Sequence, residues 1–165
     1  LDCEKPRRAA THPMACWVED SQGDLLPPLY ATRFTAGGGV RARPDASPQC
    51  VKQSGFAAKS DSEVDAISGA TPQTGSLTFL WDLKDQNGNT VPQGAYTFFV
   101  EGSLRWKNRV LYSGTITVGD AAATQQADAA YFFEATDDQP ALTEEAQEAA
   151  MIENVTVSYT PAVEK

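Results

Sequence analysis

The sequence predicts an all-β fold, an immunoglobulin-like antiparallel β-sandwich of about seven strands with long loops. Short segments alternate between apolar and polar residues, clusters of turn-forming residues separate these segments, and one segment of the 165-residue chain has a clear helical pattern. We expect a single domain comprising residues 1–165, because 41% apolar residues are enough for one core in a chain of this length.

The strongest strand pattern consists of two apolar zigzags, Leu77–Leu83 and Tyr96–Val100. Large side chains occupy alternate positions in both, so each zigzag presents one apolar face. The intervening segment Asp85–Gly94 is rich in Asn, Asp, Gly and Pro, which favour turns. We therefore predict a β-hairpin with a long loop, with Trp81 and Tyr96 in a core that a second sheet covers.

The N-terminal part contains one clear strand and several irregular segments. Residues 1–13 are predicted to form an irregular arm, and Met14–Asp20 a strand that ends in a turn. Leu25–Arg33 is predicted to be an edge strand or a bulged strand, because its two prolines cannot donate to a ladder. Residues 35–63, rich in Gly, Ser, Pro and Ala, are predicted to form a long surface excursion without a core of their own.

The C-terminal part predicts three strands and one helix. The strands are Val110–Val118, Tyr131–Phe133 and Asn154–Tyr159, the last with clean apolar alternation. The helix is short and spans Thr143–Ile152, since Thr143 suits an N-cap and the glutamates that follow it favour the positive end of the helix dipole.

The charge distribution excludes some classes of partner. Residues 120–165 carry one basic and ten acidic residues, which accounts for the whole net charge of −9, because the rest carries twelve of each sign. A chain with this balance is not expected to bind nucleic acid, which requires clustered Lys and Arg. No apolar run is long enough to cross a bilayer, so we do not expect a membrane-spanning protein.

The three cysteines, Cys3, Cys16 and Cys50, lack the spacing of a metal or redox motif. They allow three different single pairings. A Cys3–Cys50 bridge would tie the N-terminal arm to the Gly/Pro-rich excursion in an oxidising compartment. Cys16 lies within an apolar strand pattern, where a cysteine often serves as a small buried hydrophobe.

Catalytic and metal-binding patterns are sparse. His12 is the single histidine, so a Ser-His-Asp or Cys-His arrangement would have to use it. Asp85, Asn87 and Asn89 alternate as calcium-loop ligands do, but the expected bidentate glutamate is missing, which favours a role in the turn. We therefore expect a non-enzymatic protein with no catalytic residues, no metal and no obligatory cofactor.

One short segment has the composition of a contact surface. Trp106 is flanked by Arg105, Lys107 and Arg109. An exposed aromatic residue among basic residues can anchor an acidic protein partner, including the acidic third of a second copy, which would permit self-association. The alternative is a hairpin tip whose tryptophan folds back onto the sheet.

Four segments carry a family resemblance. The segment Trp81–Tyr96 resembles the Trp-Asp…Asp…Gly…Val-Pro…Gly…Tyr signature of the immunoglobulin-like module in flagellar hook-capping proteins. Together with Cys16–Gly23, Asp65–Thr71 and Ile152–Tyr159, in this order, it is similar to the predicted periplasmic proteins of domain of unknown function 2271. The resemblance implies an exported bacterial protein, periplasmic or extracellular, of a family without an established activity.

Asp65–Thr71 also resembles the acceptor motif Asp-x-x-Ser/Thr-Gly-Ala-Thr of exported flavin-carrying domains. In those domains a flavin transferase links FMN through its phosphate to the last threonine, here Thr71. The resemblance implies that Ser68, Gly69 and Ala70 let the backbone approach the phosphate and that Asp65 helps to place a metal during transfer. The alternative is a plain turn before the Leu77 strand, with Thr71 held extended by Pro72.

Two functions therefore stand side by side. The first is an exported β-sandwich module for binding or structural assembly in an extracytoplasmic complex. The second is an extracytoplasmic electron carrier with FMN on Thr71, in which the flavin would supply the redox chemistry.

Overall fold

A computed structural model of the protein describes residues 1–5, 13–32, 68–69, 74–105, 108–134 and 152–162. These residues form ten β-strands and no α-helix. The strands are β1 (Asp2–Lys5), β2 (Met14–Glu19), β3 (Tyr30–Thr32), β4 (Ser68–Gly69), β5 (Gly75–Thr78), β6 (Gly94–Arg105), β7 (Asn108–Val118), β8 (Ala123–Gln126), β9 (Asp128–Glu134) and β10 (Glu153–Tyr159). Within these ranges no helix has the length and hydropathy needed to cross a membrane.

The strands form two sheets. One has four strands in the order β5-β1-β10-β8, and the other has six in the order β4-β3-β2-β6-β7-β9. All pairs are antiparallel except β3–β4, which is parallel. The longest ladder joins β6 to β7, and this hairpin forms the centre of the larger sheet.

The sheets pack on each other through one shared hydrophobic core. Cys3 of β1 and Val155 of β10 come from the small sheet, while Cys16 of β2 and Phe98 of β6 come from the large one. Each of these side chains is at most 2% exposed. Because strand residues alternate between faces, the apolar zigzags of both sheets meet in this layer.

The prediction that residues 77–101 form a β-hairpin is wrong. Its first arm, β5, pairs with β1 in the small sheet, and its second arm, β6, pairs with β2 and β7 in the large sheet. The strand in the first arm also ends at Thr78, well before Leu83. Residues 79–93 thus form a crossover between the sheets, and both apolar zigzags face the core from opposite sides.

The small sheet depends on strands from the two ends of the chain. β1 lies within the segment predicted to be an irregular arm, and it forms because Asp2–Lys5 pairs with β5 on one side and β10 on the other. β8 forms the outer strand beside β10, and Ala127 donates its backbone N–H to Val155 O at 2.8 Å. The chain then continues as β9 in the large sheet, so β8 and β9 connect the two layers.

The other strand predictions have mixed outcomes. Strands are confirmed at Met14–Asp20, Val110–Val118, Tyr131–Phe133 and Asn154–Tyr159. Leu25–Arg33 yields only the short β3, which lies between β4 and β2 and is not an edge strand. The expected number of about seven strands is too low, because β1, β4 and β8 are short and lack apolar alternation. The immunoglobulin-like arrangement stays a prediction.

Two predicted features lie outside the described residues. These are the surface excursion at residues 35–63 and the helix at Thr143–Ile152, of which only Ile152 is described. Ile152, the residue before β10, is fully buried and belongs to the core.

The large sheet is also buried on the face that points away from the shared core. Trp17, Glu101 and Leu111 alternate with core residues and therefore face outward, yet they are only 2%, 0% and 7% exposed. Trp17 stacks on Phe99 with ring centroids 5.1 Å apart, and its indole Nε1 donates to Glu19 Oε1 at 3.0 Å. Burial on both faces explains why Met14–Val18 is an uninterrupted run of buried apolar residues.

Gly114 provides a test of how tightly the core is packed. It lies opposite Phe98 in the β6–β7 ladder, and a Cβ at this position would lie 2.6 Å from Phe98 Cζ. Phe98 is 1% exposed and has little room to move. We expect Gly114→Ala to lower the free energy of unfolding by about 1–3 kcal/mol, because overpacking forces side chains out of their rotamers. Chemical denaturation measures this loss.

Gly119→Ala is the matched control, because nothing lies within 4 Å of a Cβ at Gly119. We expect its free energy of unfolding to stay within about 0.5 kcal/mol of the wild type. Equal stability of the two variants would contradict the packing of Phe98 against Gly114.

Candidate functional site

The crossover at residues 79–93 is organised around the carboxylate of Asp85. Asp85 Oδ1 accepts the backbone N–H groups of Asn87 and Asn89, both at 2.8 Å, and Oδ2 accepts Asn89 Nδ2 at 3.2 Å. Asp85 N also donates to Asn89 O at 2.8 Å. The predicted role of Asp85, Asn87 and Asn89 in a turn is therefore confirmed, and the oxygens that could face a calcium ion serve the backbone instead.

Hydrogen bonds from Asn89 and Asn87 hold the pKa of Asp85 below its ordinary value of 3.8, although partial desolvation acts in the opposite direction. The backbone N–H of Asn89 makes the largest contribution. The carboxylate is thus ionised at neutral pH, which strengthens the hydrogen bonds that it accepts.

Leu83 adopts an unusual backbone conformation just before this turn. Its φ of 59° lies in the left-handed region, which costs a non-glycine residue roughly 1–2 kcal/mol. Its carbonyl accepts the N–H of Val91 at 2.9 Å, which closes the base of the crossover. The crossover is therefore fixed at both its tip and its base.

Aromatic contacts attach the crossover to both sheets. Trp81 packs edge-on against Tyr96 of β6 with ring centroids 5.1 Å apart, and the Tyr96 hydroxyl donates to Pro92 O at 2.6 Å. Phe79 contacts Tyr30 of β3 with centroids 4.9 Å apart. Tyr96 is in the core, as predicted, whereas Trp81 is half-buried at its edge. The Trp81 indole Nε1 is buried and has no hydrogen-bond partner among the described residues.

An apolar cavity of about 170 Å³ lies beside the crossover. Both sheets and the crossover contribute to its walls, with residues such as Val18, Phe98 and Val157. Leu80 also lines it and is 86% exposed, so the cavity opens to solvent at Leu80. We refer to this space as the inter-sheet cavity.

A second cavity of about 260 Å³ is polar and lies between the crossover and the turn after β2. Asp20 and Asp85 line it, but Asp20 Oδ1 accepts the backbone N–H groups of Gln22 and Asp24 at 2.8 and 3.0 Å. Burial raises the pKa of Tyr96, which also lines this cavity, and the nearby Asp20 raises it further. Among the described residues, no group of three or more His, Cys, Asp or Glu is placed to hold a metal ion.

The predicted flavin-acceptor segment is only partly described. Ser68 and Gly69 form β4, the edge strand of the large sheet, with a parallel register of Ala31 to Ser68 and Thr32 to Gly69. Asp65, Ala70 and Thr71 lie outside the described residues. The described part of the segment therefore lies at the edge of the large sheet. The attachment of FMN to Thr71 stays a prediction.

The predicted contact segment lies at the tip of the β6–β7 hairpin. Arg105 pairs with Asn108 and Ser103 pairs with Arg109, so Arg105 and Arg109 flank the turn on opposite strands. Trp106 and Lys107 lie outside the described residues. The choice between an exposed and a folded-back tryptophan is therefore open.

Cys3 is only 2% exposed and forms no disulfide with another cysteine of the described residues. Burial, aided by the neighbouring carboxylate of Asp2, raises the pKa of the Cys3 thiol to about 12. It therefore stays protonated and unreactive at neutral pH. Cys50 and His12 lie outside the described residues, so the Cys3–Cys50 bridge stays a prediction.

Sequence reasoning missed the inter-sheet cavity, because its walls come from strands far apart in the chain. One signal was present in the zigzag Leu77–Leu83. Leu80 occupies a position on the polar face, between Thr78 and Asp82, where a large apolar side chain breaks the alternation.

The charge of Asp85 has a measurable consequence. Its folded-state pKa is below 3.8, so the unfolded chain binds the proton more readily and stability is lost as the pH falls through this range. We expect Asp85→Asn to lower the melting temperature at neutral pH, where the native carboxylate is ionised. The difference from the wild type should narrow below pH 3.8, as thermal unfolding across a pH series would show.

Asp24→Asn is the control, since Asp24 lies in the neighbouring turn and contributes its backbone but no side-chain oxygen to that turn. It should leave the melting temperature close to that of the wild type. A constant difference between Asp85→Asn and the wild type at every pH would show that the charge of Asp85 is not what stabilises the turn.

The comparisons with known proteins confirm the resemblance to domain of unknown function 2271, while the resemblance to the module of flagellar hook-capping proteins stays a prediction. The model of the family described as "Predicted periplasmic protein (DUF2271)" matches residues 8–134, which include β2 to β9. No curated protein and no solved structure is significantly similar to the chain. Because the match covers more than half of its length, the chain belongs to the DUF2271 family of predicted periplasmic proteins.

Proposed function

We propose that the protein is a non-enzymatic extracytoplasmic module that binds an acidic protein partner through the tip of the β6–β7 hairpin. The observation that carries this proposal is the register of that hairpin. It places Arg105 at the end of β6 and Arg109 near the start of β7, with Trp106 and Lys107 between the two strands in the sequence. The periplasmic family assignment supports an extracytoplasmic location.

Residues 103–105 of β6 lie at the end of the sheet. Among the described residues, the ladder between β2 and β6 ends at Met14 and Gly102, so these three residues continue beyond it. On the other side, β9 follows β7 as far as the pair Asn108–Glu134. Tryptophan and arginine, which the sequence places next to each other here, are among the residue types that contribute most to protein interfaces.

The charge distribution indicates the chemistry of the partner. Three basic residues within five positions attract an acidic surface and steer its approach. Residues 120–165 carry one basic and ten acidic residues, so a second copy of the chain is the acidic partner that the sequence itself offers.

We expect the triple variant Arg105→Gln, Lys107→Gln, Arg109→Gln to weaken self-association by at least about tenfold at low ionic strength, because it removes the attraction to the acidic region. Sedimentation velocity over a concentration series, at low and at high salt, measures the association constant. Salt should weaken the wild type in the same way, since exposed charges are screened.

The control variant Thr74→Glu, Thr115→Glu, Thr117→Glu changes the net charge by the same three units at exposed positions outside both the hairpin tip and residues 120–165. It should retain self-association. A wild type that stays monomeric at all concentrations and salt levels would refute self-association. If both variants lose self-association to the same extent, the net charge and not the hairpin tip controls it.

We propose covalent attachment of FMN to Thr71 as a second function, which would make the chain an extracytoplasmic electron carrier. Two features support it. Residues 65–71 match the acceptor motif at each defined position, and the preceding Ser68 and Gly69 lie on an edge strand, where one side of the backbone has no neighbouring strand among the described residues. FMN would supply the redox chemistry.

Intact mass spectrometry after co-expression with a flavin transferase tests this second function. We expect an FMN-sized mass increase, with yellow colour that survives denaturation, on the wild type and on Thr74→Ala. Thr71→Ala should show neither, since it lacks the acceptor hydroxyl. A wild type without the added mass, or with the added mass retained in Thr71→Ala, would exclude Thr71 as the acceptor.

A further inference from the structure

We propose that the inter-sheet cavity is a binding site for a small, uncharged, mainly apolar molecule of about one aromatic ring. The proposal is independent of the hairpin tip and of Thr71, and three features of the cavity carry it. These are its size, the chemistry of its walls, and the strained backbone and unpaired indole N–H at its wall.

The size of the cavity fits a single ring. The cavity has a volume of about 170 Å³ and opens to solvent at Leu80, so a molecule from solution can enter it. An apolar cavity of roughly 150 Å³ is known to stay dry and to bind benzene. The inter-sheet cavity therefore has room for one ring or a short branched chain.

The walls favour an uncharged molecule. Aromatic and aliphatic side chains form most of the surface, among them Phe79, Trp81, Leu83 and Phe98, and no charged side chain of the described residues lines it. The one charged group in the described lining is the α-ammonium of Leu1, which already donates to Phe79 O at 2.9 Å. A cation placed here would lose its hydration without an opposite charge nearby, and an anion would find only this ammonium in exchange for its hydration.

Two of the polar side chains at the cavity already have partners. The Tyr159 hydroxyl donates to Gly119 O at 2.8 Å, and the hydroxyls of Ser158 and Thr124 share a hydrogen bond of 3.2 Å. The Thr160 hydroxyl, at the exposed end of the lining, and the buried Trp81 Nε1 have no hydrogen bond among the described residues. A ligand would therefore gain most of its binding energy from apolar contact.

Two structural costs coincide at the cavity wall. Leu83 is held at a φ of 59°, and the buried Trp81 Nε1 has no hydrogen-bond partner in the described part of the chain. Strained backbone and unsatisfied buried polar groups are uncommon in native proteins and concentrate at functional sites. The cavity opens to solvent next to this part of the wall, at the exposed Leu80.

Benzene is the probe for the experiment, with full-length protein labelled on its Leu and Val methyl groups for nuclear magnetic resonance. We expect saturable shifts confined to cavity residues such as Leu83, Val118 and Val157, together with a higher melting temperature. Benzoate, of similar size but charged, should bind at least about tenfold more weakly, because burial of its carboxylate is unfavourable.

Val157→Phe places a ring in the cavity and should weaken benzene binding by at least about tenfold while the protein remains folded. The matched control is Thr156→Phe, which adds the same ring on the neighbouring position of β10 that does not line the cavity. Benzene should bind this control as it binds the wild type. If Val157→Phe does not fold, Leu29→Phe fills the cavity from the opposite sheet and is expected to have the same effect.

The absence of saturable methyl shifts in the wild type would overturn the proposal and identify the cavity as a packing defect. Unchanged benzene affinity in both folded filling variants would also overturn it, because binding would then occur elsewhere. Benzoate binding as strong as that of benzene would contradict the uncharged ligand class.

Discussion

The passage of the chain from β5 to β6 is the constraint on which the rest of the structure depends. A chain that leaves one sheet for another gives up ladder hydrogen bonds and must satisfy its backbone groups locally. Asp85 does this at the tip by accepting the N–H groups of Asn87 and Asn89, and Leu83 O accepts Val91 N at the base. The separation of the two sheets on either side of the core follows from this crossover.

The same passage positions the cavity. Phe79 and Trp81 leave the edge of the small sheet and contact Tyr30 and Tyr96 of the large one. The rings hold the crossover against both layers, while no side chain of the described residues fills the space behind Leu80. The crossover is thus both a connection between sheets and one wall of a site whose other walls are strands.

The ends of the chain complete the smaller sheet. β1 and β10 are its two central strands, and both lie outside residues 8–134, to which the family model applies. β5 and β8 would have no strand between them without β1 and β10. The buried Cys3, Ile152 and Val155 show that these terminal segments belong to the core and are not appendages.

The sequence by itself determined the all-β class, the strands with regular alternation, the turn at Asp85 and the periplasmic family, because each depends on neighbouring residues or on a local motif. Only the tertiary structure decided which strands pair. The zigzags Leu77–Leu83 and Tyr96–Val100 each predict an apolar face, but a face packs equally well beside its partner in one sheet or opposite it in another. The short strands β1, β4 and β8 likewise exist because of the strands beside them. The inter-sheet cavity had only the signal of Leu80, since a space between distant strands is defined by packing and not by any single segment.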